Sequence, residues 1–138
     1  MNDVDVIERV LDINKPIGLV WQAITSPEEI CQWFGSACSV VLEEGAEGYF
    51  EWQEECEGQF AMKIIRIEKP TYFAWRWMLK QNMPFNLATS TLVEWRLTET
   101  DTGTRLKLRE SGFASAKHLD MNKQGWEQEL TDLQEYLK

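Results

Sequence analysis

The sequence predicts an α+β fold: a curved seven-stranded antiparallel sheet wrapped around a long C-terminal helix, with two short helices between strands one and two. Three observations carry this expectation. Short segments rich in β-branched and aromatic residues recur through the middle of the chain, separated by turn chemistry. The clearest of them alternate apolar and polar residues, as antiparallel strands with one wet face do. The chain ends on apolar residues spaced 4, 3 and 4 apart, which is one face of a helix. A sheet with one apolar face and a helix with one apolar stripe bury both by packing together.

The elements follow in order. Val4 to Ile13 alternates around β-branched residues and reads as the first strand. Ile17, Val20, Trp21 and Ile24 then fall on one helical face, with Pro16 at the first turn. A second short helix starts at Ser26-Pro27-Glu28-Glu29, where Ser26 can cap, Pro27 fits the first position and Glu29 can reach back as the capping-box partner. Ile30, Trp33 and Phe34 form its apolar stripe, and Gly35 stops it. Six strands are expected near 37–42, 47–53, 58–68, 71–80, 89–99 and 104–112. Their separators are Glu44-Gly45, Glu57-Gly58, Lys69-Pro70, Asn82-Met83-Pro84 and Asp101-Thr102-Gly103. The final helix is expected from about Asp120 to Leu137, with Trp126, Leu130, Leu133 and Leu137 as its stripe. Gly125 inside it suggests either a close approach of sheet or ligand or the effect of a nearby helix start.

Composition bounds the function. The 138 residues read as one domain, 1–138, with no linker or repeat. Fourteen basic against 23 acidic residues give a net charge of −9, which argues against a nucleic-acid or anionic-membrane surface. No stretch is long and apolar enough to cross a membrane, so no membrane insertion is expected. The start, Met1-Asn2-Asp3-Val4-Asp5, lacks the regions of a signal peptide. Three cysteines without a C-x-x-C make no disulfide framework. Together these point to the cytoplasm. A single histidine, His118, leaves little for a zinc site or a catalytic triad, so neither a metal nor a cofactor is expected.

Five ordered segments carry a resemblance to a known family. They are Pro16-Ile17-Gly18-Leu19-Val20-Trp21; Trp33-Phe34-Gly35; the strand from Gly58 to Pro70 leading to Trp75 and Trp77; Gly103-Thr104-Arg105-Leu106 running to Glu110-Ser111-Gly112-Phe113; and Gly125-Trp126 followed by Leu130, Leu133 and Tyr136-Leu137. In this order they resemble the START-like superfamily, also called SRPBCC or helix-grip proteins, and within it the homologues of the activator of the heat-shock-protein-90 ATPase (AHSA-like). The resemblance implies the helix-grip fold and a deep, mostly apolar cavity between sheet and helix. Members of the superfamily bind lipids, sterols, polyketides and other hydrophobic molecules, and some are cyclases or hydrolases.

The candidate chemistry centres on seven tryptophans. Phe73, Trp75, Trp77 and Leu79 share one strand face, Trp95 lies on the apolar face of the next strand, and Trp126 on the helix stripe. Indoles are rigid and apolar with one N–H donor, which suits a pocket for a planar apolar ligand; the alternative is that they fill the core. The candidate ligand-binding set is Trp33, Phe60, Met62, Trp75, Trp77, Trp95, Phe113 and Trp126. Arg76, Glu94 and Arg96 fall on solvent faces and, with Arg109, read as a cross-strand ion-pair ladder. Counting by two from Leu106 and Leu108 puts Glu110 on the inner face, where a carboxylate with a raised pKa could serve as general acid or base. His118 reads as a loop residue before the last helix. Cys31, Cys38 and Cys56 read as buried free thiols. The glutamate-rich stretch Glu43 to Glu57 lacks calcium-loop spacing and reads as solvated hairpin turns, with a docking surface for a basic partner as the alternative.

The reading that follows is a domain binding a small hydrophobic ligand, aromatic or lipid-like, without catalysis of its own. The alternatives are a cyclase- or hydrolase-type enzyme using Glu110, Tyr72 or Tyr49 for proton transfer, and a chaperone-associated protein-binding module. A homodimer is admitted as an assembly.

Overall fold

The computed structural model describes residues 5–35, 37–52 and 58–138. The alternating N-terminal segment forms β1 (Ile7–Ile13). Pro16 is the N-cap of α1 (Ile17–Thr25), which buries Val20, Trp21 and Ile24. α2 (Pro27–Trp33) opens with Pro27 at its first position, after Ser26. Ser26 is the N-cap, as expected, but its side chain makes no capping bond. Glu29 does not reach back either; it accepts the Tyr136 hydroxyl at 3.0 Å. The local capping box is thus given up for a tertiary bond to the last helix.

Six more strands follow: β2 (Ala37–Ser39), β3 (Glu47–Trp52), β4 (Gly58–Glu68), β5 (Tyr72–Trp77), β6 (Thr91–Thr100) and β7 (Gly103–Ser111). They join β1 in one antiparallel sheet of order β1-β7-β6-β5-β4-β3-β2. β2 and β5 are shorter than expected. After Trp77 the chain turns back on itself: the Met78 sulfur accepts from the Asn86 N–H at 3.4 Å and the Thr89 hydroxyl at 3.8 Å. A short helical turn, Leu87–Thr89, capped by the Asn86 side chain, delays the start of β6 to Thr91. In β4 a register shift between Ile64 and Arg66 leaves Ile65 out of the pairing and exposed. Such a bulge bends a strand and adds to its twist, which helps curl the sheet.

The last helix, α3 (Ala116–Tyr136), starts four residues before the expected Asp120. Ser115 is the reason: its side chain accepts the His118 N–H at 3.1 Å, a polar start that apolar periodicity cannot reveal. His118 therefore lies in the first helical turn and not in a loop. The stripe of Trp126, Leu130, Leu133 and Leu137 is buried as expected, joined by Leu119. Gly125 is exposed, with nothing within 4 Å of where a Cβ would stand, so no close approach accounts for it.

The core lies between the inner face of the sheet and the helices. Across that face Ile7, Glu110, Val93, Trp75 and Ile64 form one row, and Leu108, Trp95 and Phe73 the next. Of the expected ladder on the outer face, Arg96 and Arg109 meet Glu94 at 3.4 and 3.3 Å, whereas Arg76 donates to the Ser90 carbonyl at 3.4 Å; Arg105 with Asp12 at 2.9 Å and Lys107 with Glu8 at 3.2 Å add two pairs outside that expectation. Glu94 differs from expectation in being buried. The Tyr72 hydroxyl donates to it at 2.6 Å, and Arg96 stacks over the Tyr72 ring. Among the described residues no helix is long and apolar enough to cross a membrane.

Candidate functional site

Strand alternation decides which rings enter the interior. β3 sends in Phe50 and Trp52, β4 Phe60 and Met62, β5 Phe73, Trp75 and Trp77, and β6 Trp95. The end of α2 adds Trp33 and Phe34, and α3 adds Trp126. The four indoles expected to meet do so: ring centroids of Trp75 and Trp95 are 5.9 Å apart, Trp95 and Trp126 5.6 Å, Trp77 and Trp126 5.9 Å, and Trp75 and Trp77 6.1 Å. Trp33 stands edge-on to Trp95 at 6.0 Å, and its N–H is taken by the Ala23 carbonyl. Met62 is buried opposite Trp77 in the β4–β5 register, and half-buried Phe60 stands edge-on to Trp52. Phe113 is half-buried past the end of β7 and packs against the core's edge.

Phe34 occupies the centre of this cluster. Its ring lies 5.1 Å from Phe50 and from Trp52, and it is nearly parallel to Trp77 at 5.6 Å and to Trp126 at 5.3 Å. It comes from extended backbone at the end of α2, followed by Gly35 at φ +71°. A Cβ at Gly35 would stand 2.7 Å from the Glu51 carbonyl oxygen, so only glycine lets the chain pass there. The sequence places Phe34 on the α2 stripe and in the Trp33-Phe34-Gly35 segment but not among the site residues, and Trp52 is missing from the site as well. Stepping by two from Phe50 would have found Trp52.

Glu110 is wholly buried on the inner face, where counting by two had placed it. Four side chains donate to its carboxylate: Trp77 at 2.7 Å and Thr91 at 2.6 Å to Oε2, Trp126 at 2.8 Å to Oε1, and Asn122 to both oxygens at 3.0 and 3.1 Å. No cation lies within 4 Å among the described residues. Burial raises its pKa above the ordinary carboxylate value, against the pull of the donors. Its acceptor directions are filled, so the carboxylate fixes the two indoles that flank Phe34.

Two other indoles are unmatched. The N–H groups of Trp75 and Trp95 are buried without an acceptor among the described residues. Glu129 on α3 is half-buried; its Oε1 accepts from Trp52 at 3.4 Å, and its Oε2 is buried without a partner among the described residues. Burial pushes the Glu129 pKa up to about 7, the Trp52 N–H opposing and Asp132 adding to the rise.

The other candidates lie elsewhere. Tyr72 belongs to the outer face, where burial and its bond to Glu94 raise the phenol to about 12; Tyr49 alternates with Phe50 and so turns outward. Neither tyrosine shares the interior with Glu110. Cys31 and Cys38 are half-buried free thiols; Cys38 packs against the core, and burial, then Cys31, pushes it to about 12. Cys56 lies outside the described residues, as do 53–57 of the glutamate-rich stretch. Within its described part, Glu44 accepts the Ile67 N–H at 2.8 Å. Two open depressions, of about 680 and 440 Å³, lie around Tyr72, Arg96 and Thr98 and around Asn14, Lys15 and Thr102; no ring of the interior cluster lines them.

Comparison with known proteins bears on this arrangement. The family described as activator of Hsp90 ATPase homolog 1-like protein matches residues 14–138. No curated protein matches the sequence. Among solved structures, protein MLL2253 from Mesorhizobium loti is similar at 24% identity over 96% of both chains, with a TM-score of 0.81. CalU16 from Micromonospora echinospora is similar at 28% identity over 96% of this chain and 73% of its own, with a TM-score of 0.72. The Aha1 dimer from Colwellia psychrerythraea is similar at 17% identity over 96% of this chain and 95% of its own, with a TM-score of 0.79.

Proposed function

The chain belongs to the activator of Hsp90 ATPase homolog 1-like family, and on that premise we propose that it binds a small hydrophobic ligand between the inner face of its sheet and α3. The observation that carries this reading is the pair of buried, unpaired indole N–H groups of Trp75 and Trp95 inside an aromatic lining. A buried donor without an acceptor costs about 1–3 kcal/mol, and a ligand carbonyl or ether oxygen would recover it. Trp33, Phe60, Met62, Trp75, Trp77, Trp95 and Trp126 are its proposed walls, with Phe113 at the rim. Phe34 holds the ligand's place: the ligand displaces it and stacks on Trp77 and Trp126. Glu110 keeps those two indoles in position and is not asked to move a proton.

The test is a titration with flat neutral aromatics bearing one acceptor, followed by tryptophan fluorescence. Affinity near about 1–100 μM is expected, because apolar burial is offset by association entropy. Trp77→Ala and Trp95→Ala should abolish saturable quenching while circular dichroism shows a folded protein. Phe34→Ala should tighten binding of a single-ring compound. The reading fails if no compound binds the parent protein or Phe34→Ala. The same proposal places the domain in a reducing cytoplasm, where Cys31 and Cys38 stay free thiols, and allows a homodimer.

A further inference from the structure

Trp126 and Glu129 are three residues apart and share a face of α3. Glu129 Oε1 takes the Trp52 N–H across from β3, while Oε2 is buried with no partner among the described residues. The charged groups around it leave that oxygen uncompensated. Asp132 on its own helix has the same sign. Arg9 of β1 pairs with Glu127 at 3.6 Å, and Glu29 of α2 takes the Tyr136 hydroxyl. No Lys, Arg or His nitrogen of the described residues comes within 4 Å of Glu129. The indole that contacts it opens directly onto the ring cluster: Trp52 lies 5.1 Å from Phe34 and 6.2 Å from Trp77. A buried carboxylate oxygen lacking a donor among the described residues, beside an indole that borders the ring cluster, matches one ligand chemistry. An ammonium supplies the donors and the charge, and indole faces attract the same cation.

We propose that the interior site selects a protonated amine, its ammonium on Glu129 Oε2 beside Trp52 and its apolar body in the place that Phe34 vacates, against Trp77 and Trp126. This rests on the ligand-binding reading above and adds the ligand's charge. It also accounts for a buried carboxylate oxygen beside Trp52 that no cation of the described residues meets.

The experiment compares 2-naphthylmethylamine with 2-naphthalenemethanol by titration calorimetry on the whole chain. The two differ only in an ammonium for a hydroxyl. At pH 8 the amine should bind about tenfold tighter, as expected of a partly desolvated cation on a carboxylate and ring faces. At pH 6, where Glu129 takes up its proton, the advantage should shrink to about twofold or less, while the alcohol's affinity stays level. Glu129→Gln should show no advantage at either pH, and Glu129→Asp should retain part of it. The alcohol should displace the amine in competition, since both occupy the interior. Equal affinities, or an advantage unchanged between pH 8 and pH 6, overturn the amine proposal and leave ligand binding standing. An amine that the alcohol does not displace is held by the acidic outer surface and overturns it too. If neither compound binds, both readings fall.

Discussion

Four neutral donors converge on Glu110 from β5, β6 and α3, and no described cation compensates the charge. Replacing it with Leu would strand those donors. At about 1–3 kcal/mol for each buried group left unsatisfied, Glu110→Leu should cost at least about 3 kcal/mol in chemical denaturation. A loss below about 1 kcal/mol would mean that the donors find other partners. The inward position of Glu110 was legible, because strand alternation extends from Leu106 and Leu108 without a break. Its partners were not. Thr91 and Asn122 come from other elements, and only the register of β6 on β7 and the pitch of α3 bring them there. Glu129 makes a second prediction at this scale. Burial lifts its folded pKa to about 7, above the ordinary carboxylate value of 4.5, so the folded state binds the proton more tightly than the unfolded one. Its contribution to stability is therefore fully present below pH 4.5 and is lost as pH rises through 7. The difference in stability between the parent and Glu129→Gln, followed by denaturation from pH 4.5 to 8, should move in the variant's favour as pH rises. A difference independent of pH would contradict the burial of this carboxylate.

At the scale of elements, the helices record what apolar spacing can and cannot reveal. The stripe of α3 was readable because Trp126, Leu130, Leu133 and Leu137 all meet the core. Its first turn was not, because the start is set by a polar cap at Ser115 and carries no periodic signal. The lengths of β2 and β5 were overestimated for a related reason: apolar residues continue past the regular pairing, which β5 leaves after Trp77 although the Met78 N–H still bonds the Ala61 carbonyl. Two glycines give opposite predictions. Gly125 lies in mid-helix with open space around it, so Gly125→Ala should stabilise by about 0.5–1 kcal/mol. Gly35 has φ +71° and the Glu51 carbonyl where a Cβ would go. Gly35→Ala should destabilise by more than about 1 kcal/mol, since both strain and a clash oppose it. Thermal unfolding of the two variants checks both signs; a stable Gly35→Ala protein would remove the basis for the fixed position of Phe34.

For the molecule as a whole, the interior is assembled from residues far apart in the chain, and this limits what could be read in advance. That several tryptophans would meet followed from their faces on neighbouring strands. That Phe34 would stand at their centre did not, since its place depends on how α2 ends and not on any pattern within it. The outer face was legible as an ion-pair ladder, yet the burial of Glu94 required Tyr72 and the curl of the sheet. The central claim is that the aromatic interior accepts a ligand that satisfies the idle donors of Trp75 and Trp95. Indole N–H resonances, assigned by single Trp→Phe variants and followed during titration with 2-naphthalenemethanol, address it most directly. The account predicts that the Trp75 and Trp95 signals shift downfield and saturate together, while the Trp33 signal, already bonded to the Ala23 carbonyl, moves least. Saturable binding that leaves both signals in place would contradict it.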